Sequence, residues 1–359
     1  LIKIRWFGPY FMIDLRSDTL TKPTPAMRQA MAEAVVGDDV VDVDPTVEQL
    51  QEATAELLGK EAALFMPSGS MANQIAVRVH CDRGSEFLCE ADCHIYQYEQ
   101  AAFAQLSGLV AQTVQGTGGV LQPSQLQGLV RPHNDHMVRT RLVTLENTHN
   151  RGGGTIQPLD NVREICRWAA DNDLRRHLDG ARLWNAVAAT GIEAEQWASH
   201  FDSVSVCFSK GLGAPVGSAL AGTKSFIAEA RRARKLFGGG MRQAGIIAAG
   251  ALYALQHHRQ RLVEDHRHAQ ILQAAVQDSP GLTLGPAAVQ TNIVVFFVDP
   301  QWGTAAEFVG QLEAAGVRSF AIGAQSVRMV THLDVTQADV QQAAEVLREV
   351  AAASPACDG

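Results

Sequence analysis

Ser205-Val206-Cys207-Phe208-Ser209-Lys210-Gly211-Leu212-Gly213-Ala214-Pro215-Val216-Gly217 is the stretch that decides how this chain folds. A short apolar run delivers one lysine into a loop of glycines and small residues, and a run bounded in this way reads as a buried strand of a parallel sheet. Held among small neighbours, Lys210 has little room to snorkel to water, and lysines in such places form Schiff bases. Taken alone, the segment would equally suit a lysine in a flexible surface loop.

On either side of it the chain alternates strand-length apolar runs with helical patterns. Strands are predicted at residues 62–66, 86–90, 109–114, 142–145, 176–178, 203–208 and 218–221. Thr24 followed by Pro25, and Asp44 followed by Pro45, are helix-opening pairs. Met27, Ala30, Met31, Ala34 and Val35 share one helical face, and Gly59 stands where a left-handed cap would end the second helix. Alternation of this kind builds an α/β unit, a mostly parallel sheet covered by helices. Residues 243–262 read as one long helix leading out of it. The runs 292–298, 304–315, 327–331 and 336–353 then read as β, α, β, α, a smaller C-terminal α+β lobe. The expected division is an extension over residues 1–11, a large domain over 12–255 and a small one over 256–359, with a cleft between the two lobes.

Composition excludes several classes. Of 359 residues, 46% are hydrophobic and 19% charged, which suits a globular chain and not a disordered or collagenous one. The formal charge is −8, and the one basic block is Arg231, Arg232, Arg234 and Lys235, so nucleic acid is not an expected partner. The apolar run 246–255 is about half of the roughly 20 residues a membrane span requires. Six scattered cysteines (Cys81, Cys89, Cys93, Cys166, Cys207, Cys357) have no metal-site spacing and suggest free thiols in a cytoplasmic protein. Residues 1–11 lack the apolar core of a signal peptide.

In an open α/β sheet ligands gather at the carboxyl ends of the strands, which singles out Ser68, His94, Glu146, Asp179 and Lys210. Asp179 ends the strand preceding that of the lysine, where a carboxylate can keep a pyridinium nitrogen protonated; the plainer alternative is a helix cap. The turn Pro67-Ser68-Gly69-Ser70 precedes a helical pattern, and backbone N–H groups at such a start suit a phosphate. Lys210, Asp179 and the pair Gly69 and Ser70 are therefore candidate anchors for the aldehyde, ring nitrogen and phosphate of pyridoxal phosphate.

Ile13-Asp14-Leu15-Arg16-Ser17-Asp18-Thr19, Ser68-Gly69-Ser70-Met71-Ala72-Asn73, Glu146-Asn147-Thr148-His149-Asn150, His177-Leu178-Asp179-Gly180-Ala181-Arg182 and Ser209-Lys210-Gly211-Leu212 appear in this order. Together they resemble the low-specificity L-threonine aldolases, from Met12 to the C-terminal helix. The resemblance implies an aspartate aminotransferase-like, fold type I enzyme dependent on pyridoxal 5'-phosphate, usually a tetramer built from dimers with its sites at the dimer interface. The implied reaction is cleavage of L-threonine or L-allo-threonine to glycine and acetaldehyde.

By the same resemblance Lys210 carries the cofactor, Asp179 meets its ring nitrogen, Gly69 and Ser70 its phosphate, and His94 stacks on its ring. Ser17, Arg182 and Arg328 would hold the substrate carboxylate. His136 matches a histidine near the substrate hydroxyl, and Lys235 and Arg242 match basic residues that reach a neighbouring subunit's site. No metal is implied. His94, or a water it orients, is the expected base, with His136 assisting. Another pyridoxal-phosphate reaction at Cα, such as β-elimination or racemisation, would use the same anchors. His257, His258, His266 and His268 read as surface residues.

Overall fold

Thr24 and Asp44 each stand before a proline, and each caps a helix. Thr24 Oγ1 accepts the N–H of Met27 ahead of Pro25–Ala32. Asp44 Oδ1 accepts those of Thr46 and Val47 ahead of Pro45–Leu57. The computed structural model describes residues 12–285 and 288–353. The extension assigned to residues 1–11 and the sixth cysteine, Cys357, lie outside them.

The strands in chain order are β1 (Ile13–Asp14), β2 (Ala62–Met66), β3 (Glu86–Glu90), β4 (Val110–Val114), β5 (Thr140–Glu146), β6 (Arg175–Gly180) and β7 (Ser203–Cys207). They continue with β8 (Ser218–Gly222), β9 (Leu282–Leu284), β10 (Ile293–Val298), β11 (Val317–Arg318), β12 (Phe320–Ala321) and β13 (Ser326–Val330). Seven form one sheet in the order β2-β8-β7-β6-β5-β3-β4, parallel except for β8, which runs against both of its neighbours. The fold is therefore α/β with a mostly parallel central sheet, as the alternation implied. Every residue of β3, β7 and β8 is buried, which is why these strands read as short continuous runs.

A smaller antiparallel sheet, β12-β13-β10-β9, carries its own core around Val294, Phe296, Phe308, Met329 and Leu347. Ile13 and Leu15 belong to that second core, because β1 pairs in parallel with β11. A two-residue strand has no periodicity to read, so the sequence placed this segment with the large domain. The predicted helix over residues 243–262 is two helices, Gly245–His257 and Leu262–Gln277. His258 and the three polar residues after it offer no apolar face at the break, and Leu262 resumes one. No helix among the described residues is long and apolar enough to cross a membrane.

Candidate active site

Five strand ends of the large sheet converge on one edge. Glu146 of β5 pairs with Asp179 of β6, and Asp179 with Ser205 of β7, so the carboxyl ends stand level. Beyond β7, the N–H of Gly213 bonds to the carbonyl of Lys210 at 2.8 Å and that of Ala214 to Phe208 at 3.0 Å. The turn requires Gly213, whose φ is +78°. Lys210 is half-buried, and its amine enters no hydrogen bond or ion pair among the described residues. Its charge lowers the pKa of both Asp18 and His94.

After β2, Ser68 Oγ accepts the N–H of Met71 and opens the helix Gly69–His80. The N–H groups of Gly69 and Ser70 meet no acceptor among the described residues, leaving an anion-binding helix start. A Cβ on Gly69 would stand 2.8 Å from Cys207 Sγ, so only glycine lets this helix start lie against the end of β7.

Asp179 is 2% exposed; its Oδ1 accepts the N–H of Ala181 at 3.0 Å and its Oδ2 the amide of Asn73 at 2.8 Å. It is not a helix cap, since the next helix, Leu183–Thr190, starts beyond Arg182 with no side chain bonded to its first N–H groups. His94 follows β3, and its Nδ1–H donates to Glu99 Oε1 at 2.8 Å, which leaves Nε2 free. One ligand-type atom from each of His94, Glu99 and Asp179 lies within 4.8 Å of the others, a grouping Asn73 ties together by donating to both acids. Burial alone would lower the pKa of His94, but the hydrogen bond it donates to Glu99 and the charges of Asp179 and Glu99 raise it above its ordinary value.

That direction fixes a pH dependence. Protonated His94 is favoured by folding, so the pair stabilises the cofactor-free protein below about pH 6.5 and the contribution is lost as pH rises through the raised folded pKa. Glu99→Gln is expected to move the imidazole titration of His94 to lower pH, followed by nitrogen NMR, and to flatten the fall in stability. An unmoved midpoint would remove Glu99 as the cause.

The predicted carboxylate clamp assembles differently from expectation. Arg182, 5% exposed, spends its bidentate face on Asp18, with Nε at 2.8 Å and Nη2 at 2.7 Å. Only its Nη1 is left, 3.4 Å from Asn150 Oδ1. Burial would raise the pKa of Asp18, yet the charge and hydrogen bonds of Arg182, with Lys210 and Asn292, hold it well below the usual carboxylate range. Arg328 has no acid partner among the described residues: its Nη1 bonds to Asn150 Oδ1 at 3.0 Å, its Nη2 to the carbonyl of Arg16 at 3.3 Å, and its buried Nε has no partner. Burial, then the charge of Arg182, lowers its pKa. Ser17 is buried and caps the short turn Asp18–Leu20.

Glu146 ties the two halves together, accepting the backbone N–H of His94 at 2.7 Å and of Asn150 at 2.8 Å. The roles of Asp18, Glu99 and Asn150 were not read from the sequence. Asp18 lies 164 residues from Arg182, so local spacing gives no sign of that pair.

Other predicted residues stay apart. His136 is exposed in a loop, held by its backbone to Asn134, and touches none of these groups among the described residues. Arg242 pairs with Asp38 at 3.1 Å, and Lys235 lines a separate cleft of ≈ 510 Å³ with Asp39, Arg231 and Arg234. Of the four histidines read as surface residues, His258 and His266 are buried. His258 follows Leu255 at helical spacing on the inner face, and its Nδ1–H donates to the carbonyl of Leu212, bracing the lysine loop at 2.7 Å. His266 is packed against Asn185, and burial pushes its pKa down to about 4.

The profile of the family described as Beta-eliminating lyase matches residues 14–300. The chain belongs to the beta-eliminating lyase family. Within this family it is 41% identical over 335 residues to low-specificity L-threonine aldolase 1 of Arabidopsis thaliana, covering 91% of this chain and 93% of that one. Among solved structures, a threonine aldolase of Leishmania major superposes with a TM-score of 0.81 at 19% identity, over 94% of this chain and 99% of that one. A serine palmitoyltransferase of S. paucimobilis, solved with bound PLP, shares the fold with a TM-score of 0.72 at 18% identity, over 96% and 88% of the two chains. This family member thus has the fold type I architecture and is a lyase of the threonine aldolase kind.

Proposed function

We propose that the protein is an aldolase dependent on pyridoxal 5'-phosphate that cleaves L-threonine, L-allo-threonine and related β-hydroxy-α-amino acids to glycine and an aldehyde. The observation that carries this reading is Arg328, a half-buried guanidinium whose buried Nε is unpaired and which has no carboxylate partner among the described residues, linked through Asn150 and Arg182 to Asp18. Such a group awaits an anion, and the α-carboxylate of an amino acid fits it.

The donor set suits the cofactor: an amine and two helix-start N–H groups without partners among the described residues, and a buried carboxylate. Lys210 would hold its aldehyde, Asp179 its ring nitrogen, Gly69 and Ser70 its phosphate, and His94 would cover its ring. When bound, pyridoxal phosphate supplies an electron sink for the pair left on Cα after bond cleavage. Arg328, with Nη1 of Arg182 and the hydroxyl of Ser17, holds the carboxylate and thereby selects which bond at Cα is aligned to break. His94 Nε2, or a water it orients, takes the proton of the β-hydroxyl; the exposed loop position of His136 gives that residue no part in the step. The aldehyde leaves, Cα takes a proton, and glycine results.

We also infer a homotetramer, a dimer of dimers in which Lys235 and Arg242 of one subunit reach the site of the next. A cytoplasmic location is supported by the free thiols of Cys81, Cys89, Cys93, Cys166 and Cys207. The test is to load the purified protein with cofactor, supply each stereoisomer of threonine and phenylserine, and follow aldehyde and glycine. Equal amounts of both are expected from the L isomers; no aldehyde from L-threonine or L-allo-threonine would sink the reading. Arg328→Gln is expected to raise KM by about 10- to 100-fold, the weight of a lost charge-assisted hydrogen-bond pair, with a smaller change in kcat.

A further inference from the structure

Side chains two residues apart on a strand share a face, so His177 and Asp179 of β6 lie beside Ser203 and Ser205 of β7, their partners in register. The helix Gly69–His80 packs over this face and presents Asn73 and His80, two turns apart. The six side chains join. Asn73 Nδ2 donates to Asp179 Oδ2 at 2.8 Å and to Glu99 at 3.0 Å, so its Oδ1 must accept, from Ser205 Oγ at 2.8 Å and from His177 Nε2 at 3.2 Å.

That settles the remaining directions. Burial pushes the pKa of His177 down to about 4 and that of His80 to about 3, so both imidazoles are neutral at pH 7. With a proton on Nε2, His177 Nδ1 can only accept, and it accepts the hydrogen bond of the Ser203 hydroxyl at 2.8 Å. Ser203 Oγ in turn accepts from His80 Nε2 at 2.7 Å, and His80 is stacked on Phe226. Every link points the same way, from His80 through Ser203, His177 and Asn73 to the carboxylate.

We propose that this one-directional wire of neutral dipoles, with Asn73 as its terminal positioning residue, orients Asp179 and strengthens its hold on the ring nitrogen of the cofactor. Dipoles aligned in series polarise one another, so the last donor acts more strongly than an isolated amide. The wire stabilises the carboxylate without putting a second charge beside the pyridinium. It rests on the role given to Asp179 above, and extends that role to four residues joined to it only through the chain of hydrogen bonds.

The experiment uses full-length protein loaded with cofactor labelled with nitrogen-15 in its ring. The ring resonance reports protonation directly, and equilibrium dialysis gives the cofactor dissociation constant. In the unaltered protein the ring nitrogen is expected to be protonated. Asn73→Ala is expected to shift the resonance toward the unprotonated position and to raise the dissociation constant by about tenfold, the weight of one hydrogen bond to a charged group. Ser203→Ala cuts the wire farther from the site with a small change in volume and should shift the resonance in the same direction by less, which keeps the test alive if Asn73→Ala does not fold. Asp179→Asn separates the two ideas. A resonance that moves in Asp179→Asn but in neither wire variant overturns the wire alone; one that stays in all three overturns the role of Asp179 and the wire with it.

Discussion

Lys210→Ala is expected to lower turnover by at least ~10⁴-fold, the scale seen when a covalent catalytic group is removed, and to abolish the visible absorbance of the lysine-linked cofactor. The fold should survive. Lys210 is half-buried, its amine makes no contact that alanine would orphan, and its carbonyl still receives the N–H of Gly213. Circular dichroism and the thermal midpoint should therefore match those of the unaltered protein, while borohydride no longer fixes the cofactor to the chain. Retained activity in a folded Lys210→Ala protein would refute the assignment.

The second large effect is expected at Asp179. Asp179→Asn preserves volume but not hydrogen bonding. The two carboxylate oxygens accept from different donors, Ala181 N–H and Asn73 Nδ2. An asparagine can turn its oxygen to only one of them, so its amide nitrogen either faces another donor or swings away. With no negative charge to hold a protonated ring, turnover is expected to fall by several orders of magnitude, about the 10⁴-fold seen when a buried aspartate in a catalytic relay is neutralised. Steady-state kinetics on the folded variant checks this, and normal turnover would mean that the ring nitrogen has another partner.

The two residues with the largest expected effects were also the most legible in the sequence, for one reason. Both end buried strands whose apolar runs are bounded by loop residues, and the seven strands of the large sheet form close to the predicted positions. Strand ends of a parallel sheet define an edge before any tertiary contact is known. What escaped was whatever depends on distant pairing or on elements too short for a period. The two-residue strands β1, β11 and β12 lack alternation. Asp18 was visible within a motif, but its service to Arg182 requires the N-terminal segment to cross onto the small sheet. The burial of His258 was readable in principle from its spacing to Leu255 and Leu262, but a run of polar neighbours hid it.

Crossing of that N-terminal segment has a consequence for how the enzyme comes to life on the ribosome. Leu15 accepts the N–H of Val330, Arg16 offers its carbonyl to Arg328, and Asp14 does so to His332, while Asp18 a few residues on grips Arg182. Residues 14–16 thus complete these bonds with residues more than 300 positions farther along the chain. A nascent chain that has already exposed Lys210 still lacks Arg328, the guanidinium proposed to fix a substrate. On that assignment, full reactivity toward amino acids waits until the strand carrying Arg328 has been made and has paired with the N-terminal segment.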